Sequence, residues 1–328
     1  MRVLVLGGNR YIGLSLVRHL AGQGHDVTVA NSHPVELPAG VQRIHVDRRL
    51  PGALREALAD RADSFDAVFD NTAYQVPDLE PLVEIFDGSI GHYVFTSSVA
   101  VYRRSFVQPI REDFRLHQTV GDQPNRAYGV GKVRCEAFLA ERFAATGFPA
   151  TAVRVTHTVG PRSPLATRDP GFFARLEQDR PILIPGDGFP FVHFIHIDDA
   201  ARLLTSVLGN PAAVGEVYNA AGGEYASILG TVHLMARVVG VEPRIVNVPL
   251  ELLRRRARPL IHWHEGLAGG TVISIAKALE ELDWVPRFGL EEAYRDSYAW
   301  YAAGGRDHYE FDFSDDDRLL AEMAGYHS

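Results

Sequence analysis

Tyr128 and Lys132 stand at the two ends of the run YGVGK, and Ser98 closes the apolar segment HYVFTSS upstream of them. If YGVGK opens a helix, residues at i and i+4 share a face, and the ammonium can lie beside the phenol. A free tyrosine titrates near pH ~10 and is a poor base at neutral pH. A neighbouring cation favours the phenolate and makes it a general acid/base. A serine hydroxyl in reach would hold a substrate oxygen against that phenol. Such a set moves a proton at an alcohol or carbonyl oxygen while a nicotinamide moves a hydride. The start of the chain offers a place for that cofactor. VLVLGGNRYIG (Val3–Gly13) is a short apolar strand running into a turn with Gly7, Gly8 and Gly13. Such a turn lets a pyrophosphate approach the N–H groups of the helix it opens. Taken alone it also serves plain strand–helix corners, and Arg10 occupies the place where a middle glycine is expected.

These residues must be carried to one place, and the pattern around them says how. RVLVLG, DVTVAN, QRIHVD, FDAVFDNTAY, HYVFTSS and ATAVRVTHTVGP read as strands, most of them continuous apolar runs. Helical spacing (Ile12, Leu16, Val17, Leu20) and the segment PGALREALADR separate them, and the helix from Tyr128 closes at Gly147. Apolar strands alternating with helices predict an α/β fold: a Rossmann-type doubly wound parallel sheet covered on both faces. Such sheets bind ligands at the carboxyl ends of their strands, where each stretch above lies. The predicted organisation is a dinucleotide-binding domain over residues 1–160, with a further strand and helix from about 192–220. A smaller C-terminal lobe over 161–328 is expected to bind substrate.

The 328 residues are 46% hydrophobic and 23% charged, with a net charge of −8 and one cysteine, Cys135. The acidic balance argues against a broad nucleic-acid or anionic-membrane surface. No internal disulfide can form, no apolar run approaches a membrane span, and no signal-like segment opens the chain. The expectation is a cytoplasmic protein acting on a small molecule, with no nucleic-acid or membrane partner.

Glycine turn, Ser98 and Tyr128-x-x-x-Lys132, in this order, resemble the short-chain dehydrogenase/reductase superfamily. The similarity is to its extended branch of NAD(P)-dependent epimerases and dehydratases. FIHIDDAARLL (Phe194–Leu204), GEVYNAAGGE (Gly215–Glu224) and LEELDWVPRFGLEEAYRDSYAWY (Leu279–Tyr301) resemble further segments of that branch, so the likeness covers nearly the whole chain. It implies Tyr128 as acid/base, Lys132 as the residue that lowers its pKa and bonds the nicotinamide ribose, and Ser98 as the substrate-orienting hydroxyl. The cofactor would run past Gly7, Gly8, Asn9, Arg10, Tyr11, Ile12 and Gly13. It would continue past Asn31, Ser32 and His33, past Asp47 and Arg48, past Asn71, Thr72 and Ala73, and past Thr96, Tyr128, Lys132, Val155 and His157. Asp47 matches the carboxylate at the adenine edge. Substrate contacts are expected from Tyr74, Ser98, Val99, His157, Arg162 and His262. A homodimer through a two-helix face is a further implication.

The chain departs from the branch at informative positions. TSS (Thr96–Ser98) replaces the T-D-E that sugar dehydratases use to expel water. Val192 replaces an Arg that binds the phosphate of nucleotide sugars, and His157 replaces an Asn. The end of the second strand reads Asn31-Ser32-His33, without the carboxylate that reads the adenosine ribose of NAD. Arg10 lies in the adjacent loop and can meet a 2′-phosphate. This places NADP ahead of NAD. Residue types do not separate an epimerase, which uses the hydride twice, from a net reductase. The G-G-x-R-x-I-G turn also resembles a plastid RNA-binding branch of the superfamily, and some relatives are non-catalytic cofactor sensors. Elsewhere the readings are structural. Asp198 and Asp199 cap the following helix, RRRAR (Arg254–Arg258) is a solvated helix face, and the acidic tail is a solvated terminal helix. The loop IHWHEG (Ile261–Gly266) reads as a substrate-lobe loop, with His262 or Trp263 touching substrate, and no metal site is expected.

Overall fold

The computed structural model describes residues 1–33, 36–119, 127–255 and 270–326. It divides into two compact units. The first comprises Met1–Thr158, His193–Glu224 and Val272–Gly289, the second Val159–Val192, Tyr225–Thr271 and Leu290–Ser328.

From Arg2 to Val155 the first unit runs through β1 (Arg2–Leu6), α1 (Tyr11–Gly22), β2 (Asp26–Asn31), β3 (Gln42–His45), α2 (Ala53–Leu58), β4 (Ala67–Asp70), α3 (Val76–Phe86), β5 (His92–Ser98), α4 (Ala127–Thr146) and β6 (Ala150–Val155). A later strand, Val217–Ala220, joins the sheet beside β6. The spatial order is Val217–Ala220, β6, β5, β4, β1, β2, β3, and every pairing is parallel. Strand order reverses beside β1. The carboxyl ends of β1 and β4 therefore flank the crevice in which doubly wound sheets hold ligands.

Apart from the exposed edge strand β3, both faces of the sheet are buried, which explains why its other strands read as continuous rather than alternating apolar runs. Side chains alternate across the sheet. Val3 and Val5 pack with Leu16, Val17 and Leu20 of α1, together with Leu203 and Leu204 of the helix Ile197–Ser206. Leu4 and Leu6 pack on the other face with Leu79, Leu82 and Val83 of α3 and Cys135 and Leu139 of α4. Each aliphatic side chain so buried contributes about 1.5–3 kcal/mol relative to exposure.

The second unit carries a parallel pair of short strands, Ile182–Pro185 and Ile245–Val248. Its helices include Asp169–Glu177, Ile228–Val239 and Leu290–Ala302. The acidic C-terminal segment forms a helix, Ser314–Tyr326, as expected, but it is not a solvated one. Leu319 is fully buried with Leu183, Val248 and Leu252. Asp316 is buried against the Arg175 guanidinium at 2.6 Å. The composition of the helix hides this, because one buried acid and one leucine anchor an otherwise charged surface. The capping reading of Asp198 and Asp199 is likewise corrected. His196 caps their helix, accepting from the Asp198 N–H. Asp198 accepts from Ser15 at 2.5 Å. The buried Asp199 receives the backbone N–H groups of Arg287 and Phe288 together with Arg202.

Candidate active site

The glycine turn after β1 is dictated by contact as much as by conformation. Gly7 lies at φ +78°, and a Cβ there would sit 2.2 Å from Thr72 Cγ2. A Cβ on Gly13 would fall 2.0 Å from the Gly7 carbonyl oxygen, so α1 starts directly over the turn. Gly8 fits between Val17 and Val29 in the same way. Tyr11 adopts φ +46°, a strained conformation for a bulky residue. Its hydroxyl donates to the Thr158 carbonyl at 2.8 Å, anchoring the first turn of α1 to the chain beyond β6. Arg10 is exposed and extended at the cap of α1, and the first turn of that helix carries no acid. Asn9 and Ile12 are half-buried beside it. At the end of β2, Asn31 is buried. Its Oδ1 accepts from Arg43 at 2.8 Å, while its Nδ2 has no hydrogen-bond partner among the described residues. Ser32 and His33 pair with one another at 2.8 Å.

A buried knot shapes the turn after β4. Asp70 is fully buried and receives both Arg48 nitrogens at 2.6 and 2.9 Å, the Tyr93 hydroxyl at 2.9 Å and the N–H groups of Thr72 and Ala73. Burial alone would push its carboxyl up, but Arg48 and these donors hold it below the usual carboxylate range. The Arg48 guanidinium also bonds the Thr72 hydroxyl and the Asp78 carbonyl, each at 2.6 Å. It thus shapes the turn from beneath. Asp47 is held by Arg49, at 2.9 and 2.6 Å. Asn71 Oδ1 accepts from the Thr96 hydroxyl at 2.6 Å, and its buried Nδ2 has no partner among the described residues.

Lys132 is 2% exposed, and its Nζ donates to the carbonyls of Ala73 and Thr96, both at 2.7 Å. The ammonium lies 5.9 Å from the centre of the Tyr128 ring, so the pair predicted from the spacing is brought together. Tyr128 itself is 45% exposed. Burial lowers the Lys132 ammonium to about 8. An ammonium has three donors, and the two carbonyls take two, so the third is available to a hydroxyl beside Tyr128. Ser98 ends β5 and caps the turn Val99–Val101, accepting from the Ala100 N–H at 3.2 Å.

What brings Tyr128 to that turn is a feature that residue spacing does not announce: the two glycines inside YGVGK. A Cβ on Gly129 would meet the Ala100 carbonyl oxygen at 2.2 Å, and one on Gly131 the Tyr74 carbonyl oxygen at 2.4 Å. The first turn of α4 thus lies against the chain after β5 and the chain after β4 at once. Tyr74 is half-exposed, with its ring centre 6.0 Å from that of Tyr128. A second unpredicted group lies one turn further along α4. Glu136 accepts from Ser97 at 2.5 Å and pairs with the buried Arg154 at 2.7 Å. Arg154 reaches the Tyr102 hydroxyl, which donates to Asn219. This network ties α4, β5, β6 and the strand Val217–Ala220 together.

Of the remaining predicted residues, Val155 ends β6, and Val99 follows Ser98 as a buried residue. His157 is half-buried, its ring centre 6.1 Å from that of Phe194. Arg162 belongs to the second unit, where its guanidinium lies 6.0 Å from the Trp300 ring centre. His262, Trp263 and the rest of the loop 261–266 lie outside the described residues, as do residues 256–258 of the basic run. Among the described residues no cluster of His, Cys, Asp and Glu can hold a metal, and no helix is long and apolar enough to cross a membrane.

The profile of the NAD dependent epimerase/dehydratase family matches residues 3–80 and 81–221. The chain is 28% identical to the chloroplast stem-loop binding protein of 41 kDa b of Arabidopsis thaliana, over 98% of this chain and 84% of that protein. It is 26% identical to the UDP-glucose 4-epimerase of Corynebacterium glutamicum, over 94% and 98%. Among solved structures, the UDP-glucuronic acid 4-epimerase from Bacillus cereus in complex with NAD superposes with a TM-score of 0.76 at 21% identity, covering 93% of this chain and 100% of that one. With more than half of the chain matched by the profile, this chain belongs to the NAD-dependent epimerase/dehydratase family.

Proposed function

We propose that this chain is an NAD(P)-dependent oxidoreductase or epimerase acting on a secondary alcohol or ketone centre of a sugar or sugar-like molecule. The observation that carries the reading is the exposed Tyr128 phenol beside a buried Lys132 ammonium, with Ser98 on the strand-end turn against which α4 starts. The residues present suit a dinucleotide. The buried amide nitrogens of Asn31 and Asn71, at the ends of β2 and β4, are donors without partners among the described residues, and α1 opens with no acid in its first turn. Gly7, Gly8, Gly13, Asn31, Asn71, Thr72, Ala73 and Lys132 would hold it. When bound, the dinucleotide supplies a hydride donor or acceptor. Tyr128 takes the proton of the substrate hydroxyl, or returns it, at its phenol oxygen. Lys132 stabilises the negative charge that develops there. Ser98 donates to the same substrate oxygen and fixes it.

NADP is proposed ahead of NAD, on the exposed Arg10 and on a β2 end without a carboxylate. Mass spectrometry of copurifying cofactor, then a carbonyl and polyol panel followed at the nicotinamide absorbance, tests the reading. Tightly retained cofactor with no net absorbance change marks an epimerase, and net turnover marks a reductase. The NADPH preference in kcat/KM should collapse in Arg10→Ala. A ratio near one that this substitution leaves unchanged contradicts the preference.

A second reading is RNA binding. It is favoured by the similarity to a stem-loop binding protein over nearly the whole chain and by the exposed Arg103, Arg104, Arg111 and Arg115 on the segment that also carries the 93% exposed Phe106. Hairpin RNA binding that weakens steeply with salt, and that is lost when these arginines are replaced, would support it.

A further inference from the structure

The Lys132 ammonium is buried without a carboxylate of its own among the described residues. Both of its hydrogen bonds go to neutral carbonyls. The nearby acids are already engaged. Asp70 is saturated by Arg48, Tyr93 and two backbone N–H groups, and Glu136 by Arg154 and Ser97. A buried charge with so little direct compensation is costly. Three aromatic rings surround it instead: Phe95 at 4.6 Å, Tyr74 at 5.0 Å and Tyr128 at 5.9 Å from Nζ to ring centre. Ring faces attract cations at these distances, most strongly where water is excluded. Phe95 is fully buried and closes the cage from β5, whereas Tyr74 is 53% exposed and closes it from the solvent side. The backbone holds Tyr74 in place. Its N–H donates to Asp78 at 2.8 Å, and its carbonyl is where Gly131 lets α4 come close.

Resting on the proposed role of Lys132, we infer that Tyr74 is a positioning residue whose ring face, with those of Phe95 and Tyr128, keeps the Lys132 side chain charged and aimed at the phenol. Burial lowers this ammonium to about 8, Asp70, Cys135 and Glu136 pull it up, and Arg48 pushes it down. The phenols of Tyr74 and Tyr128 are the other titratable groups against it. The cage therefore acts where small changes decide the charge at working pH.

The chain contains two lysines, Lys132 and Lys277. The side-chain carbons of ¹³C-labelled lysine thus report Lys132 beside an internal reference, Lys277, which pairs with Glu216 at 2.6 Å. Titrations of the full chain compare the parent with Tyr74→Phe, which keeps the ring face, and Tyr74→Leu, which removes it. Lys132 in Tyr74→Phe should titrate with the parent. In Tyr74→Leu its midpoint should fall by about half to one and a half pH units, with Lys277 unmoved. An unchanged Lys132 midpoint in Tyr74→Leu overturns the cage, as does a fall in Tyr74→Phe as large as in Tyr74→Leu. The alkaline limb of kcat/KM should move with the Lys132 midpoint. If the midpoint falls and the limb stays, the cage stands and the assignment of Lys132 to the reaction is what fails.

Discussion

Replacing Gly129 by alanine, beside a control in the same helix, separates the geometry of the site from the stability of the fold. A Cβ at this position would lie 2.2 Å from the Ala100 carbonyl oxygen and 3.0 Å from its carbon. Ordinary contact begins near 3.4 Å, and the obstacle is backbone that cannot rotate away, so the start of α4 must retreat by about 1.2 Å. Tyr128 rides on that turn and Ser98 lies on the chain that α4 leaves. A displacement of about 1 Å in a reacting constellation costs about 100-fold in rate. Stability falls as well, since the obstacle is backbone, and the gain of about 1 kcal/mol of helix propensity of alanine over glycine offsets only part of that strain. The control is Gly147→Ala at the other end of the same helix. Gly147 lies at φ +76° with open space around it. Its substitution should lower stability by about 1 kcal/mol and leave kcat alone. Turnover would be followed at the nicotinamide absorbance on whichever substrate the panel identifies, and unfolding by calorimetry. Gly129→Ala with parental kcat would refute the claim that close approach of α4 sets the distance between Ser98 and Tyr128.

Asp70→Asn breaks the buried pair with Arg48 and should destabilise the chain by about 3–5 kcal/mol in urea unfolding; a loss under 1 kcal/mol would contradict the role given to the knot. His92 carries a pH dependence of stability. The Thr151 hydroxyl donates to the Ala213 carbonyl and so accepts from His92 Nε2, leaving the buried Nδ1 with no acceptor for a second proton. Burial lowers this imidazole to about 4, against about 6.5 when unfolded. The folded chain thus binds fewer protons, and about 3 kcal/mol is lost as pH falls from about 6.5 to 4. The parent should lose more Tm over that window than His92→Gln, and equal losses would contradict the assignment.

Much of the arrangement is legible in residue order. The alternation around RVLVLG, DVTVAN and HYVFTSS predicts a parallel sheet because both its faces are buried. The i, i+4 spacing of Tyr128 and Lys132 predicts their pairing because α4 begins there. What stays hidden depends on groups far apart in the chain. Nothing near Arg48 indicates that it will neutralise Asp70 and shape the turn at Asn71–Ala73. The tail helix looks solvated because one buried acid, Asp316, is indistinguishable by composition from its exposed neighbours. Gly129 and Gly131 look like poor choices for a helix until the carbonyls of Ala100 and Tyr74 are in place. His196 caps a helix that Asp198 and Asp199 would be expected to cap, because Ser15 and the chain at Arg287–Phe288 claim those acids.

Tyr128→Phe tests the central claim most directly, since it keeps the half-exposed ring and removes only the hydroxyl. Cofactor affinity and Tm should match the parent while kcat falls by about 10²–10⁴-fold, the usual contribution of a positioned acid/base. Turnover within twofold of the parent would contradict proton transfer at this phenol.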